Sequence, residues 1–382
     1  MKNMKTRVVV AMSGGVDSSV AAWLLQRQGY EVIGITMCFG LKESNKKRPS
    51  CCGIEGIEDA QRVAQKLGIR HYVLNFDQVL EEKVIKNFIS EYLLGKTPNP
   101  CVRCNEYLKF EQLLNKAKGL DAKYLATGHY ARIEQDGEKI FHLKKANDRF
   151  KDQSYFLYRL RQKQMAHILM PLGNLTKERV RKLASDSGLA VADKPGSQDI
   201  CFIPSEDYRD FIRHACLPAG RDIKPGLILD TKGNILGKHR GIPFYTIGQR
   251  EGLGIAMGYP VYVVKIDAKN NSLIVGKKEE VFSNGLIASD ISFTDKPEGN
   301  GLASHSQSHK PLKREVVLSV KIRYNHKGIR SRVIPLSKNR IKIIFSRPQF
   351  AVTPGQSAVL YQNKEVIAGG IIEKGLSYAE AH

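Results

Sequence analysis

The stretch that decides the fold is "TRVVVAMSGGVDSSVAAWLLQRQG", residues 6–29. Its β-branched run reads as a buried strand, and "DSSVAAWLLQRQG" reads as a helix with Asp17 near its start and Gly29 closing it. Between them lie Ala11, Met12, Ser13, Gly14, Gly15, Val16, Asp17 and Ser18. Glycines let a backbone turn tightly and approach an anion. The N–H groups at the start of the following helix then point at that anion, with the helix dipole in support. Ser13, Ser18 and Ser19 add hydroxyls. A bare phosphate would repel Asp17, so its carboxylate is expected to hold Mg²⁺ between itself and the phosphates. The loop has no G-x-x-x-x-G-K-[ST], hence no lysine aimed at a γ-phosphate, and it is not G-x-G-x-x-G.

Further strand and helix signals alternate after it. "EVIGITM", "HYVLNF" and "AKYLATGHY" read as strands. "GIEDAQRVAQKLG", "EEKVIKNFISEYLLG", "EYLKFEQLLNKAKG", "RQKQMAHILMPLG" and "TKERVRKLASDSG" read as helices, the last with Thr176 as its N-cap. Such repetition predicts an α/β domain, a parallel sheet with helices on both faces. After about residue 210 short β-rich runs with Gly, Pro and Asn turns take over. The expected division is a catalytic domain at 1–208, a small β-rich domain at 209–290 and a C-terminal β-barrel at 291–382. Residues 294–315 lack periodicity and read as an exposed insert.

Composition narrows the function. A chain of 382 residues suits two or three domains. The formal net charge is +22, with 60 Lys+Arg against 38 Asp+Glu, which favours a polyanionic partner and nucleic acid first. No run approaches the ~18 apolar residues of a membrane span. "MKNMKTRVVVAM" lacks the apolar stretch of a signal peptide, so a cytoplasmic protein is expected. The seven cysteines, at 38, 51, 52, 101, 104, 201 and 216, do not form a disulfide framework and are expected to be mostly reduced.

"TPNPCVRCNEYLKF", residues 97–110, carries a C-x-x-C pair, Cys101 and Cys104. A structural zinc site needs four ligands, and no second pair lies at usable spacing. A thioredoxin-like redox pair leaves the glycine loop unexplained. A cysteine near a helix start has its thiolate favoured by the dipole, and Lys96 and Arg103 add positive charge, so lowered thiol pKa values are expected. Cys201, in "SQDICFI", stands in a loop leading into a short apolar strand. By pattern alone it reads slightly better as a buried small hydrophobe than as a reactive thiol.

The string "SGGVDS" resembles the pyrophosphate-binding loop of the N-type ATP pyrophosphatases. The longer strings "AMSGGVDSSVAAWLL", "TPNPCVRCNEYLKF", "ATGHYAR", "KDQSYFLYRL", "SQDICFI", "YTIGQREGLGI", "VKIRYNHKG" and "PGQSAVLY", in this order, resemble the tRNA-specific 2-thiouridylases nearly end to end. The resemblance implies a PP-loop catalytic domain and ATP bound at Ala11–Ser18, with Met37 and Gly128 lining the adenosine. It implies adenylation of the C2 oxygen of the wobble uridine in tRNAs of the Lys, Glu and Gln type. A persulfide donor or relay protein then supplies Cys201, and Cys104 is the nucleophile that releases the sulfur through a Cys104–Cys201 disulfide.

The resemblance also carries tRNA contact to His129, Lys151, Asp152, Gln153, Arg323, Tyr324 and Gln356, and contact with the target base to Asn99, Pro100 and Cys101. Aromatic residues interleaved with basic ones, as in "KDQSYFLYRLRQ", suit splayed bases, and Tyr155 and Phe156 equally suit a core. Many relatives have Asp where Cys101 stands. Cys101 is therefore left as a base-pocket residue or, with Cys104 and Cys201, as one of three ligands to a [4Fe–4S] cluster. Two other classes compete. A small-molecule synthetase with the same loop needs neither paired thiols nor this charge, and a non-catalytic RNA- or zinc-binding module leaves the glycine loop without a role.

Overall fold

The computed structural model describes residues 5–39, 54–194, 200–203, 207–216, 222–294, 314–337 and 339–382. Cys51, Cys52, most of the expected turn at 194–199 and nearly all of the expected insert at 294–315 lie outside the described residues.

The first four strands are β1 (Arg7–Ala11), β2 (Glu31–Cys38), β3 (Arg70–Asn75) and β4 (Tyr124–Ala126). A hairpin of β5 (Ala131–Gln135) and β6 (Phe141–Lys145) follows, then β7 (Ile168–Leu169). One sheet of order β3-β2-β1-β4-β7 forms, parallel throughout. The centre of β1 is sealed on both faces, which is why it reads as an unbroken Val run and not as an alternation. Val8 and Val10 pack with Val20 and Ala21 of α1 (Val16–Arg27) and with Val180. Val9 faces the opposite layer, with Ile35, Phe88 and Phe110. β2 and β4 flank β1 on opposite sides, so the chain reverses its winding at the carboxyl end of β1, where open α/β sheets bind ligands.

Two expected helices differ. In "RQKQMAHILMPLG" only Gln162–Met165 is helical, and Ile168–Leu169 is β7, paired with β4 through Leu125↔Ile168. Periodicity cannot separate a short apolar strand from a helix end. The helix in "EYLKFEQLLNKAKG" opens as a π-helix, Cys104–Leu113, before becoming α at Leu114–Gly119. The β5–β6 hairpin had no counterpart in the sequence reading, because "ARIEQ" and "FHLKK" are polar and half exposed.

The middle of the chain forms a four-stranded sheet from β8 (Gly226–Asp230), β9 (Ile235–His239), β10 (Tyr262–Asp267) and β11 (Ser272–Gly276), in the order β10-β11-β8-β9. It encloses its own core around Val263, Leu273 and Val275. The barrel has six strands: β12 (Phe282–Phe293), β13 (Val316–Lys321), β14 (Ile329–Ser337), β15 (Arg340–Phe350), β16 (Ser357–Gln362) and β17 (Glu365–Leu376). Pairing of β12 with both β15 and β17 closes it. β12 belongs wholly to the barrel, although the sequence reading divided the chain at residue 290. The β5–β6 hairpin joins the barrel edge where β6 pairs with β17 through Glu365↔Lys144, which ties the barrel to the parallel-sheet domain.

Candidate active site

The glycine loop leaves β1 at the carboxyl edge of the sheet. Gly14 has φ +72°, and a Cβ there would lie 2.2 Å from the carbonyl oxygen of Gly56. Gly15 caps α1 in extended conformation, and its carbonyl accepts from the hydroxyls of Ser18 and Ser19 at 3.1 and 2.9 Å. Ser18 Oγ also accepts from the Ser13 amide at 3.2 Å. Gly128, just past β4, closes the other side. A Cβ on it would stand 2.7 Å from the Ser18 nitrogen. Met37 is buried near the end of the neighbouring β2. Ala11–Ser18, Met37 and Gly128 thus share one edge of the sheet, with backbone N–H groups at a helix start facing the gap, a cradle suited to phosphates.

Asp17 does not stand ready for a cation. Its Oδ1 and Oδ2 accept from Lys177 Nζ at 2.6 and 2.7 Å, and Tyr130 donates its hydroxyl to Oδ1 at 2.7 Å. Both oxygens are occupied by an ammonium and a phenol, so the expected Mg²⁺ role of Asp17 does not fit this arrangement. Burial, and then Asp17, hold the Tyr130 phenol strongly protonated. Lys177 stands at the first position of the helix Lys177–Asp186, whose N-cap is Thr176 as expected. A lysine in a first turn opposes the helix dipole. That unfavourable placement was the one signal in the sequence that marked it for another task.

Three of the cysteines lie near one another. Asn99 caps the short helix Pro100–Arg103, with Pro100 at its first position. Cys101 is exposed, whereas Cys104 and Cys201 are half-buried. Cys201 lies in a turn closed by Ile203 N–H to Ile200 O at 3.0 Å, not at a strand start, and Phe202 anchors that turn against Phe88 and Phe211. Cys101, Cys104 and Cys201 are close enough that each raises the cost of ionising another.

The expected lowering of the thiol pKa values is overturned. Burial pushes Cys101 up to about 12 and Cys104 up to about 11, against the smaller opposing pull of Lys109. Cys101 opens to solvent on one side, but the protein crowded around it still desolvates a thiolate. The helix start supplies too little to offset that. Among the described residues no group of three or more His, Cys, Asp or Glu is arranged to hold a metal ion. The three thiols are neighbours, and no arrangement among the described residues supports the expected [4Fe–4S] cluster.

Residues 6–205 match the family described as tRNA methyl transferase HUP domain, 214–277 its PRC-barrel domain, and 283–372 the aminomethyltransferase β-barrel domain. A tRNA-specific 2-thiouridylase MnmA of Pelotomaculum thermopropionicum is 50% identical over 97% of this chain and 98% of its own. One of Halothermothrix orenii is 49% identical over 96% of this chain and 99% of its own. The chain belongs to the tRNA-specific 2-thiouridylase family.

The residues that this family likeness points to for RNA fall into two sets. Lys151 is exposed. Arg323 is exposed too and donates to Phe350 O at 3.1 Å, and the ring of Tyr324 lies 4.6 Å from that of Phe156. The others are built into the framework. Asp152 is buried and accepts from the amides of Ala146 and Ser154 and from the Ser154 hydroxyl. Gln153 accepts from the Tyr130 amide at 2.9 Å. His129 is buried with Nδ1 2.8 Å from Thr127 Oγ1, and burial keeps its imidazole neutral. Gln356 Nε2 donates to the Thr97 carbonyl at 2.9 Å. Asn99 lines a cavity of about 160 Å³ shared with Arg103, Arg159 and Ser357. Tyr155 and Tyr158 are fully buried, so that aromatic run serves the core.

Proposed function

We propose that the protein is a tRNA 2-thiouridylase that adenylates the wobble uridine of tRNA with ATP and replaces its C2 oxygen by sulfur. The observation that carries this reading is the clustering of Cys101, Cys104 and Cys201 in a chain that also holds the glycine loop and is about half identical along its length to relatives of that name. ATP is bound by Ala11–Ser18 with Met37 and Gly128 at the adenosine. Mg²⁺ accompanies the phosphates, and Asp17, already held by Lys177, is not assigned to it. The excess of 22 positive charges suits the RNA backbone.

The uridine leaves the anticodon stack to reach the thiols, as bases generally must for chemistry on their atoms. Its C2 oxygen is a poor leaving group. Attack of that oxygen on the α-phosphate of ATP expels pyrophosphate and leaves C2 bearing an AMP ester. A persulfide donor protein supplies Cys201–S–SH. The terminal sulfur attacks C2, AMP departs, and Cys201 is joined to C2 through two sulfurs. The Cys104 thiolate attacks the Cys201 sulfur, a Cys104–Cys201 bond forms, and the thiolated base leaves with the outer sulfur. An external dithiol reduces the disulfide before the next turnover.

Lys151, Arg323 and Tyr324 are assigned to direct contact with tRNA of the Lys, Glu and Gln type. Asn99, Pro100 and Cys101 are assigned to the base. Asp152, Gln153, His129 and Gln356 are assigned to shaping that surface. The units are a catalytic domain at 1–208, a central β-rich domain, and a barrel, with cytoplasm as the working compartment.

The test is transcript tRNA with ATP, Mg²⁺ and a persulfide donor, with 2-thiouridine measured by mass and pyrophosphate by an enzyme-coupled assay. C104A and C201A abolish thiolation and retain tRNA-dependent pyrophosphate release. Normal thiolation by either variant overturns the reading.

A further inference from the structure

One large ring stands in water, outside every core cluster and outside the site described above. Phe150 is 77% exposed, more than any other large hydrophobic side chain among the described residues. A single exposed apolar side chain needs no explanation of its own. Phe150 differs because its backbone is fixed. Asp148 opens a turn in which its carbonyl accepts from the Lys151 amide at 3.2 Å. Its Oδ1 accepts from the amides of Phe150 and Lys151 at 3.0 and 3.2 Å. Aspartate at the first position of a β-turn is favoured because its side chain closes the turn in this way. The other carboxylate oxygen, Oδ2, accepts from the Lys177 amide at 3.0 Å, and the Asn147 amide donates to Gly173 O at 2.9 Å. The turn is pinned to two neighbouring segments, and it holds an apolar ring outward.

The Arg149 guanidinium lies over this ring, 4.6 Å from its centroid. Arg149 and Lys151, on either side in the chain, are both exposed. A guanidinium over one face leaves the other face for a second planar group. Every nucleobase offers one, and proteins hold unpaired bases by stacking them on aromatic rings. Two flanking cations suit the phosphates on either side of a stacked base. The turn also adjoins the nucleotide cradle. Asp148 holds the amide of Lys177, whose Nζ reaches both carboxylate oxygens of Asp17 in the first turn of α1.

We propose that Phe150, backed by Arg149, is the platform on which one unpaired base of the tRNA anticodon loop stacks while the target uridine is out of the stack. Removing the uridine deprives its neighbour of a stacking partner, and the Phe150 ring supplies a replacement. Arg149 and Lys151 add charge to this contact without selecting a base. The inference rests on the tRNA reading above and adds to it a contact made through an aromatic face.

The full-length protein is titrated with unmodified transcript tRNA at several salt concentrations, without ATP. F150A, at an exposed position, keeps the native melting temperature and weakens binding about fivefold to a hundredfold. F150W and F150Y stay within about threefold of the native protein. F150L falls with F150A, because the aromatic face is used and not the apolar volume. The salt dependence of binding is unchanged in F150A and loses about one unit of slope in K151A. Single abasic substitutions along the anticodon loop then identify the base, since at one position the native protein and F150A bind alike. Native affinity in F150A or in F150L overturns the proposal. An F150A that binds tRNA normally but raises the KM for the persulfide donor protein also overturns it, and gives the turn to a protein partner. Failure of the native protein to bind tRNA would instead sink the functional reading.

Discussion

Gln356 of the barrel donates through Nε2 to the backbone carbonyl of Thr97, 2.9 Å away, two residues before the Asn99 that caps the cysteine helix. The Thr97 amide in turn donates to Pro354 O at 2.9 Å, and Gly355, with φ +91°, brings its backbone against Thr97 where a Cβ would stand 3.0 Å off. The barrel therefore grips the segment that leads into Cys101 and Cys104, although about 250 residues separate the two in the chain. The loop's position depends on a domain that holds none of the thiols.

Gln356→Ala removes one hydrogen bond of that grip, worth about 1 kcal/mol net. The expected result is a roughly fivefold fall in kcat for thiolation, with KM for tRNA within about twofold. A change confined to KM would make Gln356 an RNA contact and not a brace. Steady-state kinetics over a range of tRNA concentration separates the two.

Gly14→Ala asks an L-residue to hold φ +72° and puts a methyl 2.2 Å from Gly56 O. The left-handed conformation alone costs about 1–2 kcal/mol. Gly128→Ala meets the Ser18 nitrogen at 2.7 Å, with no strained φ. Both are expected to cut tRNA-dependent pyrophosphate release at least tenfold, and Gly14→Ala also to lower the melting temperature by several degrees. A Gly14→Ala enzyme with normal pyrophosphate release would show that the loop tolerates the shift and is not a tight cradle.

Much of this site was legible in the chain, and the pattern of what was not is physical. The Val8–Val10 run and the two glycines dictate a buried strand and a tight corner, and both are local properties. Thr176 as N-cap is equally local, and it accepts from Arg179 N at 3.2 Å. The ionisation of Cys104 is not local. A helix start argued for a lowered value, whereas Cys104 packs against a core cluster assembled from distant segments and is desolvated by it. Lys177 is 160 residues from Asp17, and nothing in either neighbourhood announces the other. Asp152 looked like part of an exposed polar run, but the amides of Ala146 and Ser154 draw it inside.

The thiols also set a pH dependence. An unfolded thiol ionises near 9, while burial raises Cys104 to about 11 and Cys101 to about 12 in the folded protein. The folded state then holds these protons more tightly than the unfolded chain, so their contribution is complete below about pH 9 and is lost as pH climbs toward about 11. Melting temperature followed from pH 8 to pH 10.5 should fall more steeply for the native sequence than for a Cys101→Ser, Cys104→Ser double variant. Parallel curves for the two would mean that the thiols ionise alike in both states.

Lys177 and Asp17 give the sharpest separation of stability from chemistry. Lys177→Met leaves the Asp17 carboxylate with only the Tyr130 hydroxyl, in a site about one-third exposed on the Asp17 side and less on the lysine side. Removing one partner of a fully buried pair costs 3–5 kcal/mol, and partial exposure reduces that here to roughly 1–3 kcal/mol. In the double variant Lys177→Met, Asp17→Asn the stranded charge is gone, and most of the lost stability should return. ATP use should not return, because the glycine cradle then lacks the Lys177 ammonium that this structure places against Asp17 at the start of α1. Thermal melting gives the first quantity and tRNA-dependent AMP formation the second. Recovery of both in the double variant would make the pair purely structural, and recovery of neither would mean that Lys177 supports the helix that begins with it and not its partner.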